Sequence, residues 1–470
     1  MSLLGLWHPA GACAGDGVLR IGDPALEPDG SLDVAVVAPA RGTRRRRLRA
    51  LVAEAGIRLA PDGIGWIVVE RRARASGERA ARRAGLVVVD RVLMIPGWPA
   101  STHLVPLVPA ALRDAGVRHL GLSPRSARVL ALLARAGATR MLLARAAPSC
   151  AVVVARRAPP APLAWLGEID GAGVWTATVS SGPRRDASVA VALRHRTGCA
   201  RPDLAVKVAL DAAGAARVHA ERDALELLGA AAAAAGAAIA VPRTRAAGGP
   251  AILVADALPG QPAAALLRRS PAQLDAVLRA VGDWLLAWNR ATATTATASQ
   301  ALLERRLVAP AARLAAARPA LAQHAEAMRR LAASLEGTAL VTVAVHDDLT
   351  MSNVLVGPSG LAIVDWEAAS ADGLPLLDLW YALADGVARA RRVAHVQAVE
   401  MLTRGSSPLP PALAGLPGRH AAALGISTGQ ALLGFHACWL SHADDELRRR
   451  QAGPFLPVVE ALAAQGGARA

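Results

Sequence analysis

The sequence predicts an α+β chain in which a smaller α/β domain precedes a strand-rich region and a mainly helical one. Three patterns predict it. Residues 1–165 alternate short β-type runs with Arg-rich helical runs, residues 172–260 read as three strands, a helix and further strand, and residues 261–470 carry Ala, Leu and Arg at helical spacing. Strands alternating with helices argue for an α/β layer. The 470 residues exceed one ordinary domain; at roughly 100–200 residues per domain, two or three are expected. We place them at 1–165, 166–260 and 261–470.

In the first region, Asp33 to Ala38 reads as a buried strand and Arg44 to Ala55 as the helix after it. Ile64 to Val69, Leu86 to Val89, Met141 to Leu143 and Cys150 to Val154 are further strand candidates, with a helix from Ser126 to Ala136. The segment Ala158-Pro159-Pro160-Ala161-Pro162 has linker composition. In the second region, Val174 to Val179, Ser188 to Leu193 and Leu204 to Val208 are strands, Ala216 to Ala230 a helix and Ile252 to Val254 a strand. The third region is helical, apart from strands at Leu340 to Val345, Val354 to Val356 and Leu361 to Val364. Asn289 falls at the end of a helix whose Trp284 and Trp288 face a core, and His420 to Ala443 reads as one buried helix.

The composition is 53% hydrophobic and 19% charged, which suits a folded chain with sizeable cores. Of 53 basic Lys and Arg residues only Lys207 is a lysine, Asn occurs twice and Tyr once. The skew toward Ala, Arg, Gly and Pro marks a GC-rich, bacterial genome. Under that bias a surviving Lys or Asn marks a position where a substitute works poorly. The net charge of +16 comes largely from arginine, with one cluster at Arg41 to Arg49. Residues 346–378 hold six acids and no Lys or Arg. Aromatics do not interleave with the arginines, so no stacking platform for nucleic acid is visible and none is expected as a partner. Four scattered cysteines give no metal spacing or disulfide framework. No membrane span or signal peptide is apparent, and a cytoplasmic location is expected.

The sharpest segment is His346-Asp347-Asp348-Leu349-Thr350-Met351-Ser352-Asn353, followed by Ile363-Val364-Asp365-Trp366-Glu367. Phosphoryl transfer from a nucleotide needs such a set: a carboxylate to accept a hydroxyl proton, and further oxygens to hold a hard cation against phosphates.

The segment resembles the catalytic loop of protein kinases at His346, Asp348, Leu349 and Asn353. It is more similar still to the aminoglycoside phosphotransferase and choline kinase-like family, whose loop reads H-G-D-x-x-x-x-N before a strand ending in I-D-W/F-E. Pro375-Leu376-Leu377-Asp378-Leu379 is similar to the family's P-x-x-D-L. The resemblance covers about residues 172–450 and implies a two-lobed protein kinase-like fold, with residues 166–260 as small lobe and 261–470 as large lobe. It implies ATP and Mg²⁺ as cofactors and a small-molecule hydroxyl as acceptor. Asp348 would be the catalytic base, Asn353 and Asp365 the metal ligands, and His346 a support of the loop. The family also requires a Lys on the third small-lobe strand and a Glu on the next helix. Lys207 and Glu221 stand at those places, and Arg is a poor substitute for the compact ammonium. Ser181 and Gly182 would belong to the loop over the phosphates, and Ala255 to the hinge that meets the adenine. Asp378 is expected to tie the loop to a helix.

Asp347 departs from the family's Gly, and like-charge repulsion between the adjacent acids is expected to raise the pKa of one of them. That departure, with the Gly-poor phosphate loop, supports a second reading as a weak or inactive pseudokinase that scaffolds a biosynthetic assembly. Residues 33–107 resemble a methyltransferase-like α/β domain without its Gly-rich nucleotide turn, which implies a degenerate or scaffolding role. A choline-type acceptor would need an aromatic cage, with Trp366, Trp380 and Trp439 as candidates.

Overall fold

The computed structural model describes residues 19–20, 32–39, 43–70, 73–95, 103–118, 122–135, 149–157, 174–180, 189–196, 199, 201–234, 242, 244–245, 251–403, 413, 415–448 and 453–465. The expected strand at 141–143 and the linker at 158–162 lie outside them. The chain divides into two compact units. One comprises 1–222 and 243–257, the other 223–242 and 258–470.

The first unit is built on one mixed sheet of eleven strands: β1 (Leu19–Arg20), β2 (Leu32–Val37), β3 (Leu59–Glu70), β4 (Val87–Ile95), β5 (His103–Pro106), β6 (Ser149–Ala155), β7 (Val174–Ser180), β8 (Val189–His195), β9 (Leu204–Ala209), β10 (Thr244–Arg245) and β11 (Ile252–Asp256). Their spatial order is β1-β2-β3-β6-β4-β5-β7-β8-β9-β11-β10. The β1/β2 and β2/β3 pairs are parallel, and the other pairs are antiparallel. Helix α1 (Arg45–Arg58) makes the crossover between β2 and β3 that a parallel pair requires. It buries Leu48, Val52 and Ala55 and exposes Arg44 to Arg47 and Arg49. The remaining helices are α2 (Arg74–Arg83), α3 (Pro109–Arg118), α4 (Pro124–Arg135) and α5 (Ala212–Ala234), the last running into the second unit.

Strand β3 starts five residues before the expected Ile64, because Leu59 is buried and pairs with Leu32. The larger surprise is continuity. Strand β5 pairs antiparallel with β7, His103 opposite Thr178 and Leu104 opposite Ala177. One apolar face then runs through Val36, Trp66, Met94 and Leu104 into Trp175, Ala190 and Val206. The strands of residues 166–260 therefore share a sheet and a core with those before residue 158.

In the second unit, β12 (Gln261–Pro262), β15 (Val354–Gly357) and β16 (Gly360–Ile363) form one small sheet, and β13 (Thr294–Thr297), β14 (Ala339–Val345) and β17 (Ser370–Gly373) another. Both are packed by helices. In the helix Leu274–Thr292, Trp284 and Trp288 stack with centroids 5.6 Å apart. Trp288 Nε1 donates to the Ala344 carbonyl at 2.7 Å, which fixes the end of β14. The expected single helix over 420–443 is two, Leu416–Leu424 and Thr428–Arg448. Gly425 ends the first with φ 66°, a left-handed cap that glycine adopts at little cost. Among the described residues, no helix is long and apolar enough to cross a membrane.

Two predictions follow from this packing. A chain beginning at residue 172 leaves β7 without its β5 partner and exposes part of the Trp175 core, where each large side chain contributes about 1.5–3 kcal/mol. It should be recovered mainly as aggregate; a soluble product melting like the full chain would contradict the shared core. His420 is buried, and burial, then the Arg419 charge, lowers it from its ordinary 6.5 to about 4. Between those values the unfolded chain takes a proton that the folded chain refuses, so stability is lost as pH falls from 6.5 toward 4. Melting followed across that range should show the loss, with a shallower slope in His420→Gln.

Candidate active site

The first unit holds a partly buried ion pair. Along β9, Val206 and Val208 are buried, and Lys207 alternates to the other face, between Val191 of β8 and Leu253 of β11. Helix α5 is started by Asp211, whose Oδ1 accepts from the Gly214 amide at 2.6 Å. Two turns later it presents Glu221, which is buried, and Lys207 Nζ donates to Glu221 Oε2. The single lysine and the expected glutamate are thus partners. Ala255 lies in β11 opposite Ala205, between β9 and β10. Ser180 closes β7 opposite Val189, while Ser181 and Gly182 lie outside the described residues.

The second unit holds the loop 346–353 between β14 and β15. Its turns are closed internally: Thr350 N donates to Asp348 O at 2.8 Å, and Asn353 N to Thr350 O at 3.0 Å. Asn353 Nδ2 donates to Asp348 O at 2.9 Å, which leaves the Asn353 Oδ1 oxygen for a cation. The hairpin β15–β16 returns the chain so that Val364 N donates to Asn353 O at 3.0 Å, with Asp365 next in sequence. His346 links the two segments. Its Nδ1 accepts from the Asp348 amide at 3.3 Å, so Nε2 carries the proton and donates to Val364 O at 3.0 Å.

The helix Leu377–Arg391 anchors this loop from one face. Positions 378, 381 and 385 are three and four apart, which brings them onto one stripe. Asp378 Oδ2 accepts from His346 N at 2.7 Å and Oδ1 from Asp347 N at 2.9 Å, the tie expected of it. Asp385 Oδ2 accepts from Met351 N at 2.8 Å, while its Oδ1 meets Arg389 and His395, each at 3.1 Å. Between them lies the buried Tyr381, whose phenol burial, then the charge of Asp348, pushes well up.

Backbone conformation explains the unusual Asp347. Its φ is 62°, in the left-handed region where glycine costs least and Asp is among the better-tolerated alternatives. Its carboxylate is paired with the buried Arg306, Nη1 to Oδ2 at 2.9 Å. Asp365 is also left-handed, at φ 71°.

Burial, then the charges of Asp365 and Glu367, raises the Asp348 carboxyl from its ordinary 3.8 to about 7. The adjacent Asp347 acts instead on Asp378, which burial first and that charge after it also raise to about 7. One of the two neighbouring loop acids, Asp348, is thus raised as expected, but by burial and the charges of Asp365 and Glu367 and not by its neighbour. Crowded carboxylates beside an amide oxygen form an all-oxygen donor set whose repulsion a divalent cation would relieve, so Asn353 and Asp365 fit Mg²⁺.

A sequence model of the phosphotransferase enzyme family matches residues 181–416, half of the chain. The chain belongs to this family. Its fold is accordingly of the kinase-like kind. Similar solved structures include a glucosamine kinase (15% identical, covering 62% of this chain and 93% of that one, TM-score 0.35). A choline/ethanolamine kinase family protein from Mesorhizobium loti is 16% identical over 65% of this chain and 95% of that one, TM-score 0.35. An aminoglycoside-3'-phosphotransferase of type VIII is 20% identical over 56% and 97%, TM-score 0.31. No curated protein matches the sequence.

Within this family member, Asp385 and Arg306 contact the loop and Tyr381 lies on the same helix stripe; motif reading missed all three. Tyr381 carried a usable signal, as the only tyrosine in the chain. The suggested aromatic cage is not supported. Trp366 is fully buried against Trp284, Trp288 and His346 and donates to Ile363 O at 3.1 Å. Trp439 is fully buried against Phe435.

The Arg306–Asp347 pair yields a double-variant prediction. Arg306→Ala strands a carboxylate beside Asp378 and should cost about 2–3 kcal/mol. Adding Asp347→Gly removes that charge and suits φ 62°, so the double variant should recover most of the loss in chemical denaturation. Strictly additive losses would show that the pair is incidental.

Proposed function

We propose that the protein transfers the γ-phosphate of ATP, with Mg²⁺, to a hydroxyl of a small molecule. The observation that carries this reading is the buried Asp348. It is held on a hydrogen-bonded loop five residues before Asn353, with Asp365 beside it. In this reading Asp348 accepts the proton of the attacking hydroxyl. Asn353 and Asp365 hold the metal, whose contribution is to neutralise phosphate charge. Lys207, oriented by Glu221, meets the α- and β-phosphates as a compact cation. Ser181 and Gly182 lie over the phosphates, and Ala255 leads into the stretch that meets the adenine.

A small acceptor is favoured because the chain passes from Asp365 through β17 straight into the helix at Leu377, which leaves no length for a protein-kinase activation segment. Sugars, amino alcohols, aminoglycosides and glycan precursors are the candidate classes, and a cytoplasmic location matches the ATP requirement. The pairing of Asp347 with Arg306 supports activity over the pseudokinase reading, since the departure from glycine is charge-compensated.

Initial rates of ADP release from Mg-ATP, measured against a panel of those acceptors, test the assignment. Asp348→Asn should lower kcat about 100-fold or more, within the range for losing a general base. Lys207→Ala should raise the KM for ATP and lower kcat. Wild-type turnover by Asp348→Asn would overturn the assigned base.

A further inference from the structure

We propose that the helical layer of the first unit docks on an anionic phospholipid bilayer, with exposed arginines on the headgroup phosphates and Val129 and Leu132 entering the headgroup boundary.

The layer is defined by the core beneath it. Val52 of α1, Ala80 of α2, Leu112 of α3 and Leu130 of α4 share one core with Ile67 and Val152 of the sheet. The neighbouring strand residues Trp66, Val68 and Val153 belong to the core of the opposite face. All four helices therefore cover the same side of the sheet.

Charge on that layer has one sign. The four helices hold 14 arginines and three acids, a net of +11 in a chain of +16. Each acid already has a partner: Glu54 pairs with Arg58 at 3.2 Å, Glu78 with Arg91 at 2.9 Å and Asp114 with Arg118 at 2.8 Å. The exposed arginines are others, namely the five at the start of α1, Arg79, Arg82 and Arg83 of α2, and Arg125 and Arg128 of α4. None of them forms an ion pair among the described residues. Codon bias toward arginine does not account for this, because it acts on the whole chain. In the second unit, exposed helical arginines stand three or four residues from an acid and pair with it: Arg279 with Asp275, Arg330 with Glu326 and Arg448 with Asp445. Unpaired guanidiniums crowded on one layer repel, and a surface of phosphates relieves that repulsion.

Apolar exposure selects a bilayer as the occupant. Among the described residues five large apolar side chains are exposed, and Ile57, Val129 and Leu132 of these helices are three of them. Arg125, Arg128, Val129 and Leu132 follow the spacing i, i+3, i+4, i+7, which is one stripe of α4. Val129 is 53% exposed and Leu132 62%. The other side of α4 is already packed: a side-chain carbon on Gly116 of α3 would lie 3.2 Å from Ala127 Cβ and 3.6 Å from Leu130 Cδ2. Arginines flanking exposed aliphatic side chains suit an interface where phosphates overlie acyl chains. A nucleic acid offers phosphates without hydrocarbon, and its bases stack on aromatic rings, of which the four helices have none.

Flotation of the full chain with vesicles is the test, comparing phosphatidylcholine alone with phosphatidylcholine mixed with phosphatidylglycerol. Binding to the mixed vesicles should be stronger by about tenfold or more and should weaken as salt is raised. One arginine near an anionic surface strengthens binding about fivefold, so Arg45→Gln with Arg46→Gln and Arg49→Gln should weaken it about a hundredfold. These side chains are exposed and without ion-pair partners, so the melting temperature should not move. Arg79→Gln with Arg82→Gln and Arg83→Gln should act alike from a separate helix. Val129→Gln with Leu132→Gln should weaken binding about tenfold at every salt concentration. Equal binding to both vesicle types, or unchanged binding in both arginine variants, overturns the proposal. So does indifference to the Val129 and Leu132 changes, or displacement from vesicles by RNA or duplex DNA at equal phosphate concentration, since either points to a purely electrostatic partner.

Discussion

The site depends on one helix face gripping one loop. Asp378 and Asp385 are almost fully buried carboxylates, and their burial is tolerable because each accepts amide hydrogens that the loop cannot satisfy within itself. The exchange is reciprocal: the loop's amides find acceptors, and the acids find donors. Either half alone would be an expensive buried polar group. The helix is placed by its own start. Leu376 adopts φ 71° just before it. Gly434 lets the helix Thr428–Arg448 come so close to Pro375 that a side-chain carbon there would lie 2.4 Å from the Pro375 carbonyl.

Charge distribution follows from that arrangement. Four acids crowd the loop and its continuation, at 347, 348, 365 and 367. The first is paired with Arg306. The charges of Asp365 and Glu367 reach Asp348 instead and, with its burial, keep its proton affinity high enough to accept a proton near neutral pH. An amide and carboxylates at that place suit a divalent cation better than any surface cluster of the arginine-rich remainder. In the proposed function the chemistry sits in this acidic stretch, so the net charge of +16 says little about it.

Most elements were legible in the sequence, since alternation and turn residues mark short strands well, and β7, β8, β9 and β11 fall within a residue or two of expectation. The shared sheet was not legible, because β5 and β7 are far apart in the chain and no local pattern reports a long-range pairing. Among the proposed site residues, scarcity was the signal the sequence offered. It singled out Lys207 and Asn353, and it applied equally to Tyr381, whose place on an apolar helix reads as core. Arg306 was beyond reach, one arginine among 52. The tryptophans misled for the opposite reason: large rings beside a motif looked available to a ligand, and packing used them instead.

The central claim is transfer of phosphate to a hydroxyl, and ³¹P NMR tests it most directly. Full-length protein is incubated with Mg-ATP and each acceptor in turn. The account predicts that for one acceptor class the γ-phosphate signal of ATP declines as a phosphomonoester signal grows in step with it. Mg-ATP left intact with every acceptor, or converted only to ADP and inorganic phosphate, would contradict it.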